Sequence, residues 1–247
     1  MASNRKCIFC EKTNKLSNEH IFAQWLLKEL DIYDHEVAMA HISTIGIPIS
    51  ERKHSFSNLV NGLVCKECNN GWMSDLEGNC KAHIINLMNM NDDEIKNEIK
   101  FLSDNNEMFA KWAFKNAIML NSATNYRALV PLSHFLDLYN GIIPKGVFID
   151  LAFCSNDGSL TWRQSHGALI VKDSSIPMDP LASKYQISFQ LKHLLIKIRY
   201  LDSQHSTFYE DNGTIRIYPN IGIIDKLKVF SDIDEFDING VMHEYVE

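Results

Sequence analysis

Apolar residues recur at helical spacing twice in the first third of the chain, as Phe22, Trp25, Leu26 and Leu30 and again as Trp72, Leu76, Ile84 and Leu87. Each set predicts an amphipathic helix with one face turned to a core. Residues 31–57 between them are mixed, with IGIPIS reading as strand fragments and the basic ERKH segment as a surface loop. The segment MNDDEIKNEIKFLSDNNE, rich in Asn, Asp, Glu and Lys, reads as a linker with at most a short exposed helix. MFAKWAFKNAIML then turns apolar around nearly its whole circumference, through Phe109, Trp112, Ala113, Phe114 and Ala117, as a helix buried on several sides does. Pro131 stands at the start of a further helix, PLSHFLDLY.

Beyond residue 145 the period drops to two. Val147, Ile149, Leu151 and Phe153 alternate with other residues, as do Tyr185, Ile187, Phe189 and Leu191. The phase then flips to Ile196, Ile198 and Tyr200, which predicts a bulge or turn at residues 192–195. TIRIYP supplies a last short strand ending at Pro219. The pattern predicts an α+β protein in three parts: a cysteine-bearing unit over 1–87, a polar linker over 88–106, and an α+β domain over 107–247 whose helices precede a mainly antiparallel sheet.

Cysteine spacing adds chemistry to the first part. CIFC (Cys7, Cys10) and CKEC (Cys65, Cys68) have the two-residue spacing of a zinc knuckle, and two knuckles supply four thiolates for one tetrahedral structural zinc. A redox pair would not need a second copy, and no βαβ context surrounds either one. Cys80 and Cys154 have no partner at ligand spacing and read as buried apolar thiols. CxxC pairs of this kind, a start (MASNRKCIFC) with no signal-peptide core and the lack of any apolar run of about 20 residues predict a cytoplasmic protein with no membrane partner. With a net charge of -7, contact with nucleic acid would need local positive patches. Neither a GxSxG elbow nor a GxxxxGK phosphate loop occurs, which disfavours serine hydrolases of that type and nucleotide-driven machines.

The stretch SNEHIFAQWL places Glu19 and His20 side by side after the first knuckle, and Asn69 and Asn70 follow the second directly in VCKECNNGWMSDLE. If β-structure returns Glu19 and His20 beside the helix that starts at Asn69, a carboxylate, an imidazole and an amide oxygen converge, a set that suits Mg²⁺ or a similar ion. CxxC, then EHI, then CxxC followed by Asn, over residues 5–88, resembles the HNH endonuclease family in the subgroup where a four-cysteine zinc braces the catalytic hairpin.

The resemblance implies a ββα-metal, treble-clef-like unit that hydrolyses phosphodiester bonds of DNA, duplex in the first place, with a divalent cation, Mg²⁺ or else Mn²⁺ or Ni²⁺. It assigns His20 as general base, Glu19 (Asp in most of the family) and Asn69 as cation ligands, Asn70 as a second candidate ligand, and Asn61 as the residue orienting the histidine. Arg52, Lys53 and Lys66 are the cations expected to meet nucleic acid, with Arg5 and Lys6 also near. Phage defence or a mobile element is the setting typical of stand-alone relatives, and the C-terminal domain is the place for a protein partner or a second copy. Two alternatives stand beside this: a noncatalytic zinc-binding adaptor for protein or nucleic acid, and a nuclease directed at RNA. Trp25 and Trp72 read as core, the acidic NDDE (91–94) and DIDEFD (232–237) clusters as solvated surface, and His54 as an exposed loop residue.

Overall fold

A computed structural model describes residues 5–42, 48–89, 92–124, 129–166, 184–202, 206–208, 212–223, 226–238 and 243–245. The first knuckle leads into strand β1 (Leu16–His20) and the short helix α1 (Gln24–Glu29), whose Leu26 and Leu27 are buried. A ribbon of two strands follows, β2 (Glu36–Ile42) and β3 (Pro48–Ser55), and a 3-10 turn at Phe56–Asn58 returns the chain to β4 (Val60–Cys65). β4 pairs antiparallel with β1 and sets Glu19 opposite Asn61 and His20 opposite Val60. Between the Ser17↔Val64 and Glu19↔Asn61 pairs β4 holds one residue more than β1, a bulge of the kind that re-aims side chains.

The second knuckle closes on α2 (Lys66–Cys68), a π-type turn at Asn69–Met73 in which Gly71 leaves helical conformation, and α3 (Ser74–Met88). Single π turns inside helices alter which way the local side chains point. The ERKH segment belongs to β3 rather than to a loop. A two-stranded ribbon buries neither face fully, so its strands need no apolar alternation, and Pro48 to Lys53 are indeed exposed.

The polar segment expected as a linker is helical from Asp92, where α4 (Asp92–Ala123) begins; it bends at Asn105. Ile95, Ile99 and Leu102 follow helical spacing within the polar composition and pack on the core. Glu98, also buried, accepts from Asn86 (2.7 Å) and lies 2.6 Å from His83 Nδ1, both on α3. One continuous apolar cluster accordingly runs from Cys7 through α3 and α4 to Ile217. Residues 45–47 of IGIPIS and the side chains of 91–94 lie outside the described residues.

After α5 (Ser133–Tyr139) come the long strands β5 (Val147–Ser165) and β6 (Lys184–Leu201), antiparallel to each other, with Lys192 in the left-handed region (φ 49°) where the phase of the pattern flips. The paired β7 (Ser206–Phe208) and β11 (His243–Tyr245) form a separate two-stranded piece. β8 (Ile215–Tyr218) and then β9 (Gly222–Ile223) extend the sheet from β5 antiparallel, while β10 (Val229–Phe230) joins β5 in parallel. Burial along β5 and β6 is more continuous than the two-residue period predicts, because both faces are covered. The main core packs on one. On the other, α6 (Ile233–Ile238) brings Ile233 and Phe236 onto Ala152, Cys154, Leu195 and Phe230. α6 thus buries part of the acidic DIDEFD segment, and Asp237 accepts from Gln186 and Ser188 (2.6 Å).

Candidate functional site

Pairing of β1 with β4 carries the two knuckles together. Cys7 Sγ lies 3.8 Å from Cys68 Sγ, Cys10 Sγ lies 3.7 Å from Cys65 Sγ, and all four sulfurs fall within 4.8 Å of one another. A Zn–S bond of about 2.3 Å in a regular tetrahedron separates sulfurs by about 3.8 Å, so the four thiols fit a structural zinc. Burial opposes ionisation of Cys7, yet the backbone N–H groups of Cys10, Cys65 and Phe9 turned to its sulfur bring it below the ordinary thiol value. Burial pushes Cys65 up to about 11 and Cys68 higher still. A cation among them is what would hold all four as thiolates. Trp72 packs edge-on to Phe9 beside the cluster, in the core as expected.

Glu19 and Ser17 leave β1 on one side, by the alternation of strand residues. Asn69 reaches that side and donates from Nδ2 to Ser17 Oγ at 3.4 Å, which leaves its amide oxygen without a donor among the described residues. Glu19 itself is half-buried and receives no hydrogen bond from any described residue. Burial pushes its carboxyl above the ordinary value; Lys115 pulls it back in part and Glu77 adds to the rise.

Lys115 is already committed. Its Nζ lies 2.5 Å from Glu77 Oε1, and Glu77 Oε2 accepts from Trp25 Nε1 (2.9 Å) and Trp112 Nε1 (3.1 Å). Sequence reading missed this network, because a Glu on α3 and a Lys on α4 carry no mutual spacing signal; a Lys inside the apolar run MFAKWAFK was the only hint.

His20, the next residue, leaves β1 on the opposite side at the strand end. The Ser57 backbone carbonyl holds its ring, Gln24 Nε2 lies 3.4 Å from Nδ1, and the Tyr33 ring is 6.3 Å away. Burial lowers its pKa and the Ser57 bond raises it, with burial the larger, so the imidazole is neutral at pH 7. Asn61 opposes Glu19 in the ladder, but its amide donates to Ser122 Oγ on α4 (2.9 Å) and accepts from Leu63 N (2.9 Å); the ring contacts of His20 are Ser57, Gln24 and Tyr33 instead. Asn70 is exposed.

Among the expected nucleic-acid contacts, Arg52 and Lys53 are exposed on opposite sides of β3, and Lys66 is exposed on the second knuckle. His54 is half-buried on β3. Cys80 and Cys154 are fully buried, with burial raising their thiols to about 12 and about 11. No helix among the described residues is long and apolar enough to cross a membrane.

Compared with known proteins, the chain matches no family model, no curated protein and no solved structure.

Proposed function

We propose that the chain is a metal-dependent endonuclease of HNH type, with DNA as its substrate class, a structural zinc at the four cysteines and a divalent-cation site at Glu19 and Asn69. The observation that carries this is Glu19: a half-buried carboxylate with no hydrogen bond from a described residue, on the same side of β1 as the Asn69 amide oxygen, which meets no donor among the described residues, and next in the chain to His20, which leaves the strand end on the other side. A carboxylate taken from water with no donor is unfavourable unless it takes up a proton or a cation joins it. Hard oxygen donors of this kind suit Mg²⁺ or Mn²⁺.

Held by the Ser57 carbonyl, His20 keeps one ring nitrogen as donor and presents the other as a base, which takes the proton of an attacking water. Glu19 and Asn69 are the residues that would hold the cation. The cation, when bound, offsets charge that builds on the phosphate and the leaving oxygen. Glu77 keeps Lys115 neutralised, so that Lys115 does not close on Glu19 as an ion pair.

The test is nicking of supercoiled plasmid with Mg²⁺, Mn²⁺ or Ni²⁺. Cutting by the wild type and its loss in His20→Ala, at unchanged zinc content and melting temperature, are expected. A wild type that nicks no DNA or RNA with any of the three ions overturns the reading and leaves the zinc adaptor.

A further inference from the structure

Two cavities meet beside the β1–β4 pair. The larger, about 370 Å³, lies between β2 and the Leu160–Gln164 part of β5, walled by Val37, Met39, Leu160 and Trp162 with Thr161 and Gln164 as polar neighbours. The smaller, about 170 Å³, is bordered by Ser50, Arg52, His54, Asn58 and Val60. They share Met39 and Thr124 and so form one groove.

We propose that this groove binds a nucleotide unit of single-stranded nucleic acid, its base against Trp162 and its phosphate beside Arg52 and His54. The proposal deepens the nuclease reading and rests on it for the chemistry next door. Alternation along β3 puts Ser50, Arg52 and His54 on one side, Arg52 opposite Met39 and His54 opposite Val37, while Glu51 leaves on the other. Arg52 has no carboxylate partner among the described residues. In a chain of net charge -7, an unpaired guanidinium in a cleft marks where a polyanion is accepted.

The larger cavity has the size of a small-ligand pocket and an aromatic wall. Phe22 and Phe56, with ring centroids 6.4 and 6.5 Å from that of Trp162, back the indole and hold it as a platform. Stacking on such a ring tolerates any base and accepts single strands, whose bases are already unstacked. β2 pairs with β3 alone and β5 over Leu160–Gln164 with β6 alone, so each keeps one edge without a strand partner among the described residues. The smaller cavity also places the substrate. Val60 is the ladder partner of His20, Leu59 O accepts from Ile21 N, and Ser57 holds the His20 ring.

The experiment is fluorescence anisotropy with labelled twelve-residue oligothymidylate, oligouridylate and a DNA duplex, on the full chain carrying His20→Ala so that nothing is cut. Single strands, DNA or RNA, are expected to bind at least about tenfold more tightly than duplex at one salt concentration, with the DNA and RNA arms separating the two sources. Adding Arg52→Ala, or Trp162→Leu to remove the stacking ring, weakens binding about fivefold or more, with Arg52→Ala at unchanged melting temperature. Equal affinity for duplex, or variants that bind like their parent, overturns the proposal. A chain that binds as expected while the His20-intact protein never cuts keeps the groove and removes the nuclease reading; cutting left intact by Arg52→Ala removes the groove alone.

Discussion

Asp150 in the C-terminal sheet and Glu19 in the hairpin beside the four-cysteine cluster are both carboxylates drawn from water, and they are treated in opposite ways. Asp150 is fully buried between two guanidiniums, Arg199 at 2.6 Å and Arg216. Burial opposes its ionisation, but the arginines outweigh that and hold the carboxyl below its ordinary range. Glu19 has burial without such partners among the described residues, and its carboxyl sits above its ordinary range. The sheet answers the charge of Asp150 from within itself. The hairpin leaves the Glu19 carboxylate without such a partner among the described residues, which is why the proposed cation site is put there.

The largest way to break this contrast is to remove the brace. A strong chelator, or Cys65→Ser, should strip one zinc per chain by elemental analysis and lower the melting temperature by about 10 °C or more, since structural zinc contributes folding energy directly. Retained stability without zinc would mean that the cysteines are an incidental cluster.

Next in size are the completed charges. Asp150→Ala leaves two buried guanidiniums around a void, and Lys115→Met leaves Glu77 charged among indoles. Each should cost about 3 to 5 kcal/mol in urea denaturation. Glu19→Gln, by contrast, should leave stability unchanged or raise it by about 1 kcal/mol, because it removes a carboxylate that burial already disfavours. A Glu19→Gln loss as large as that at Asp150 would erase the distinction between the two regions.

A smaller effect than the loss of Asp150 sharpens the sheet side. His134 is buried against Tyr185 Oη (3.0 Å), and burial lowers its pKa to about 4. Below its ordinary value of about 6.5 the unfolded chain takes up a proton that the folded chain refuses, so stability is full above that pH and is lost as pH falls toward 4. Between pH 7 and pH 5 the loss should be about 2 kcal/mol, and His134→Gln should remove that part of the slope.

The four-cysteine cluster was legible because two-residue spacing is a local signal that survives any fold around it, and the sulfurs come close enough to hold one metal ion. The mixed α+β class and the bulge at Lys192 were legible for the same reason, as changes of period. Two elements were misread from composition. Residues 92–106 looked solvated because polar residues dominate, yet Ile95, Ile99 and Leu102 alone suffice to dock a helix, and Glu98 finds its partners on α3. ERKH looked like a loop because it is charged, yet a two-stranded ribbon admits charge on both faces. At the site, adjacency gave Glu19 and His20. The partners around them, Ser57, Lys115 and Glu77, come from elements whose approach no spacing encodes.

The most direct test of the central proposal, that Glu19 holds a cation, is Mn²⁺ titration of the zinc-loaded chain followed by paramagnetic resonance. One Mn²⁺ bound per chain, lost in Glu19→Gln and weakened in Asn69→Ala with zinc content unchanged, is the predicted result. Binding of Mn²⁺ that is the same in Glu19→Gln as in the wild type, or no binding in either, would contradict it.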